Sequence, residues 1–123
     1  MSTLPRESAG TAPAVDAARG RAGGSGLVAV VEGVADRAAV LSALGRALSF
    51  PEYYGHNLDA LADCLGDLSW LPAGPVELVV ADGPLAAADP GTHATVLEIL
   101  AEAVATTAGT DRPLHVTLAG PAA

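Results

Sequence analysis

Three short apolar runs frame the chain: Leu27-Val28-Ala29-Val30-Val31, Val76-Glu77-Leu78-Val79-Val80 and Leu114-His115-Val116-Thr117-Leu118. Each is rich in β-branched side chains and bounded by Gly, Pro or Asp, which predicts strands. The first shows no alternation, so it reads as a strand covered on both faces, as in a parallel sheet. Between the runs the apolar period becomes helical. Val40, Leu41, Leu44 and Leu48 recur behind Asp36, a capping side chain, and Pro51 stops that helix. A second helix starts at an Asn57 cap, with Leu58, Leu61 and Leu65 pointing inward, and ends near Gly66. Residues 85–90 predict a helical turn. Residues 92–107 predict a third long helix, with Val96, Leu97, Leu100 and Val104 on its buried stripe and Glu98 and Glu102 beside it. Strand, two helices, strand, helix, strand is an order that requires crossovers. The class is α/β, with a three-stranded parallel sheet and right-handed links.

Residues 1–26 show no such pattern. They are rich in Gly, Ala, Ser and Pro with scattered charge, and read as a disordered leader ahead of a domain at 27–120. With Arg6, Glu7, Asp16, Arg19 and Arg21 in place of an apolar centre, they are not expected to act as a signal peptide.

The outer face of the second helix holds the candidate chemistry. Asp59 and Asp63 lie four residues apart and project from one side. Like charges so placed cost a helix a few tenths of a kcal/mol, and an opposite-charge partner supplies the compensation. Asp59 sits in the first turn, where the helix dipole favours a carboxylate by about 0.3–1 kcal/mol, so it also has a structural explanation. Asp63 lies past that region. Gly55 reads as a turn accepting positive φ.

The totals narrow the choice of partner. The 123 residues carry 14 acidic and 6 basic side chains, net −8, and the basic residues are all Arg. Nucleic acid and anionic membrane need a basic footprint and are excluded as partners, whereas a basic protein is steered in by the field. Half the residues are apolar but only 3% are aromatic, so Ala, Val and Leu fill the core. The single Cys64 excludes an internal disulfide and a cysteine-cluster metal site, and reads as a half-buried spacer in a protein of the reducing cytoplasm. Trp70 is assigned to packing after the acidic helix. His56, His93 and His115 are read as ordinary surface or strand residues.

Residues 51–65, Pro-Glu-Tyr-Tyr-Gly-His-Asn-Leu-Asp-Ala-Leu-Ala-Asp-Cys-Leu, resemble the barstar family of intracellular inhibitors of a secreted bacterial ribonuclease. The helix around Val96-Leu97-Glu98-Ile99-Leu100-Ala101-Glu102-Ala103 and the final strand are similar as well. The resemblance spans about residues 27–120 and is poor over 72–90. It implies a two-layer α/β fold, and an acidic helix and preceding loop that plug the active site of a basic ribonuclease or ribonuclease-like toxin, with carboxylates in place of RNA phosphates. By position, the partner-binding residues it implies are Tyr53, Asn57, Leu58, Asp59, Ala60, Asp63 and Glu102, with Tyr53 the exposed tyrosine and Tyr54 in the core. It implies no cofactor and a monomer when free. The chain departs from the family pattern at Ala62 and Leu68, where the family has aromatic residues, and at His56, where it has an acid.

An enzyme is the competing class. Asp59, Asp63 and His56 suit metal binding or acid–base work. No second histidine stands at ligand spacing, no nucleophile–base pair is present and no Gly-rich phosphate loop exists, so the chain is read as a non-enzyme. The other alternative is an acidic protein-binding module of a different complex, without ribonuclease inhibition.

Overall fold

The computed structural model describes residues 4–52 and 54–121. The elements are β1 (Arg6–Glu7), α1 (Thr11–Ala22), β2 (Leu27–Val31), α2 (Arg37–Ala47), α3 (Leu58–Asp67), β3 (Val76–Val80), α4 (Gly83–Ala88), α5 (Pro90–Thr107) and β4 (Leu114–Ala119). The sheet order is β1-β4-β3-β2 and every pair is parallel, with Leu27 opposite Val76 and Val76 opposite Leu114. The parallel α/β architecture is as expected, but the sheet has four strands, not three.

The fourth strand belongs to the segment read as a disordered leader, and that reading is corrected. β1 pairs with β4, and α1 covers the face of the sheet opposite the main core. The helix buries Ala14, Ala18 and Ala22, one small residue per turn, and Ala14 and Ala18 pack against Val79 and Ala119. Ion pairs add to this: Arg6 of β1 meets Asp82 at 2.8 Å and Arg21 of α1 meets Glu77 at 3.0 Å.

β3 is the strand buried along its whole length. β2 lies at the sheet edge, and Val30 is 36% exposed, so its apolar run does not mean cover on both faces. The main core joins Ala29, Val31, Val76, Leu78, Val80, Val116 and Leu118 of the sheet to Val40, Leu41 and Leu44 of α2, Leu61 and Leu65 of α3, and Val96 and Leu100 of α5. Truncating any of these leucines to alanine costs about 2–5 kcal/mol. The helix starts follow the side chains that cap them. Asp36 accepts from the Ala39 amide and Asn57 from the Ala60 amide, each at 2.8 Å. Asp89 accepts from the Thr92 amide at 3.2 Å, opening α5 two residues earlier than its apolar stripe suggests.

Two histidines are not ordinary surface residues. His93 lies 2.7 Å from Asp82 and His115 lies 3.0 Å from Glu77, so each shares its carboxylate with an arginine of the N-terminal segment. Cys64 is buried, not half-buried. Burial pushes its thiol up, and the charges of Asp63 and Asp67 push it further, so the unreactive thiol form is favoured.

Candidate functional site

The site is built from the loop before α3 inward. Tyr54 is buried and donates from its hydroxyl to the Leu41 carbonyl at 3.0 Å, and burial pushes that hydroxyl up to about 12. Phe50 meets the Tyr54 ring edge-on at 4.8 Å and the Trp70 ring at 5.6 Å, while Trp70 donates to the Leu48 carbonyl. Three of the chain's four aromatic side chains thus tie the loops on both sides of α3 to the end of α2. Tyr54 in the core and Trp70 in packing are as the sequence predicts. The left-handed turn falls on His56, at φ 53°, not on Gly55. The His56 ring lies 4.5 Å from that of Tyr54, a contact that Gly55 has no side chain to make. Tyr53 lies outside the described residues.

α3 divides cleanly. Leu61, Cys64 and Leu65 are buried, while Asn57, Asp59 and Asp63 are exposed, and Leu58 and Ala60 are half-buried at the boundary. Leu68, read as standing where an aromatic contact belongs, is fully buried as the left-handed C-cap of α3. It presents nothing to a partner.

Sequence reasoning missed Asp67. It continues the row of Asp59 and Asp63 at the same four-residue step, is exposed, and ends α3 where the last turn carries no basic residue. A carboxylate there opposes the helix dipole, at a cost of about 0.3–1 kcal/mol. Its only side-chain hydrogen-bond partner among the described residues is the Ser69 hydroxyl, which donates to it at 3.1 Å. The repeated spacing was the available signal.

α5 brings in the distant acid. Glu102 is exposed and lines a groove of about 420 Å³ between α3 and α5 together with Asp63 and Asp67. Ala62, Gly66 and Ala103 line the groove between those carboxylates, so small residues leave it open. At the other end of α3, Arg37, His56 and Asn57 share a second hollow with Asp59. Among the described residues the ion pairs are Arg6–Asp82, Arg21–Glu77, His93–Asp82 and His115–Glu77. None uses Asp59, Asp63, Asp67 or Glu102. The arginines that form ion pairs are spent on buried acids of the sheet and of α4, which leaves the α3–α5 face uncompensated.

Exposed carboxylates with no cationic partner among the described residues suit this face to meeting cations. Among the described residues, no group of three His, Cys, Asp or Glu is placed to hold a metal ion. A model of the family described as Barstar (barnase inhibitor) matches residues 27–119.

The chain belongs to the barstar family.

The matched span contains Tyr53, Asn57, Leu58, Asp59, Ala60, Asp63 and Glu102, and Asp67 as well. It begins at the first residue of β2, so β1 and α1 lie outside it. No curated protein matches the chain. The family is one of inhibitors, and the partner that it implies is a protein such as a ribonuclease.

Proposed function

We propose that this barstar-family chain is a stoichiometric inhibitor that lays α3 into the active-site cleft of a basic ribonuclease. Asp59, Asp63 and Asp67 take the places of successive RNA phosphates, and Glu102 meets a basic group on the rim. Asn57, Leu58 and Ala60 fill the contact surface between the carboxylates. The observation that carries the reading is the row of exposed acids on α3, faced by Glu102 and unpaired with any cation of the described chain. An unpaired acidic row costs the free protein a little and is repaid when arginines and lysines of a partner close over it. The inhibitor works in the cytoplasm, where it meets the ribonuclease before export, and is a monomer until then.

Steering follows from the same charges. With net −8 concentrated away from the N-terminal arginines, approach to a basic cleft is fast and falls with ionic strength. Mixing the chain at micromolar excess with a panel of basic ribonucleases, barnase included, and following hydrolysis of a fluorogenic RNA tests the reading. Hydrolysis by at least one member should stop. Undiminished hydrolysis across the panel favours an acidic binding module of another complex.

A further inference from the structure

The segment outside the family match is attached to the sheet in an unusual way. The face turned toward α2, α3 and α5 is apolar throughout, with Val76, Leu78 and Val80 of β3 beside Leu114, Val116 and Leu118 of β4. The face under α1 is mixed. It carries Val28 and Val79, but also Glu77 on the inner strand β3, opposite His115, and Thr117 two residues further along β4, opposite Val79. Glu77 is 1% exposed, in a strand that is otherwise Val and Leu. A carboxylate buried there is costly unless it keeps a cationic hydrogen-bonding partner or regains water.

α1 supplies that partner together with a thin apolar contact, in which Ala14, Ala18 and the partly buried Val15 lie against Val79, Val28 and Ala119, a smaller gain than the leucine-rich core gives on the opposite face. The Arg21 guanidinium donates to Glu77 at 3.0 Å and to the Thr117 hydroxyl at 3.2 Å, with its side chain still 47% exposed. Arg6 grips Asp82 with both terminal nitrogens at 2.8 Å. β1 adds a short ladder, Leu118 donating to Pro5 and Gly120 to Glu7. The segment is then tethered at one place, where Gly26 follows so closely on Ala22 that a Cβ there meets the Ala22 carbonyl at 2.5 Å.

We propose that β1 and α1 form a cover that lifts from the sheet as one unit, with Glu77 and Asp82 as the sockets of its two arginines. Lifting returns Glu77 to water, and His115 and His93 stay beside the vacated carboxylates, so the sockets are not orphaned. The apolar core under the opposite face loses only the partly buried Leu4 that packs against it. The acidic α3–α5 face lies on that opposite side, so the cover makes the chain's resistance to opening depend on salt without altering the surface offered to a partner. This inference does not rest on ribonuclease inhibition.

Native-state amide exchange of the full chain in rising sodium chloride tests it. Amides of α1 should exchange through an opening that leaves β3 and α5 protected, and that opening should become more frequent as salt rises. Arg21→Gln should raise α1 exchange by about tenfold or more, the loss of a charge-assisted pair, with β3 amides nearly unchanged. Arg19→Gln removes the same charge from an exposed position that forms no ion pair among the described residues, and should leave α1 exchange near the wild-type rate. Exchange of α1 and β3 together under every condition, salt-independent exchange of α1, or equal effects of the two substitutions would overturn the proposal.

Discussion

Asp63 of α3 and Glu102 of α5 line one groove from opposite helices, and neither has a cationic partner within the described chain. Their approach is set by the buried faces behind them, Leu61 and Leu65 on one helix and Val96 and Leu100 on the other. The core thus holds two like charges near each other, and their compensation has to come from outside.

Asp63 is central to that face and should behave as a buried charge once a partner covers it. Asp63→Asn is expected to weaken the complex by about 2–5 kcal/mol, almost all of it in the dissociation rate. Asp111→Asn, an exposed acid in the loop before β4, should change dissociation little. Surface-captured ribonuclease with both variants in solution measures the two rates. Equal dissociation rates would remove Asp63 from the interface.

The opening beside Ala62 predicts how the partner fits. A hollow of about 420 Å³ rimmed by Asp63, Asp67 and Glu102 suits a long basic side chain, with its methylenes over small residues and its charge among the carboxylates. Ala62→Trp should fill that space and loosen binding by about tenfold or more, while thermal stability stays close to wild type because Ala62 is exposed. Tighter binding by the variant would mean that the hollow is left empty in the complex.

Asn57 serves the helix that displays the acids. Its side chain accepts from the Ala60 amide at 2.8 Å, and Asn57→Ala should cost about 1 kcal/mol of stability, whereas Asn57→Asp keeps the cap. Chemical denaturation of the two variants measures the difference. Equal stability would show that the cap is not needed.

Asp82 couples the stability of the fold to acid. Burial pushes this carboxyl up, but hydrogen bonds from Arg6 and His93 and the Arg6 charge outweigh it, and the net shift is downward. A group depressed in the folded state contributes stability that is full above its unfolded value, near pH 4, and is lost as pH falls through the folded value. Arg6→Gln should therefore lower the melting temperature at neutral pH and flatten the acid limb of its profile, so that variant and wild type converge in strong acid. An unchanged limb would show that the Arg6–Asp82 pair carries none of the acid stability.

Much of this was legible along the chain. β2, β3 and β4 stand out as runs rich in Val and Leu, α2 as the Val40, Leu41, Leu44, Leu48 stripe, and Asp36 and Asn57 as caps. β1 and α1 were not, for a physical reason. Their apolar stripe is alanine, Gly20 and Pro13 weaken the helical signal, and their firm attachments are arginines that reach Glu77 and Asp82 far along the chain. In the site, Asp59 and Asp63 were visible from spacing alone and Asp67 was overlooked at the next step of the same row. That Leu68 turns inward, and that a groove lies beside Ala62, depend on how α3 ends and how it meets α5, which no local pattern encodes.

The most direct test is a stoichiometric titration of a basic ribonuclease, barnase first, read by cleavage of a fluorogenic RNA. The wild-type chain should abolish cleavage near one equivalent, and Asp59→Asn/Asp63→Asn/Asp67→Asn, which keeps the fold and removes the row of charge, should need a large excess. Inhibition by the triple variant as complete as that by wild type, or no inhibition by either, would contradict the account.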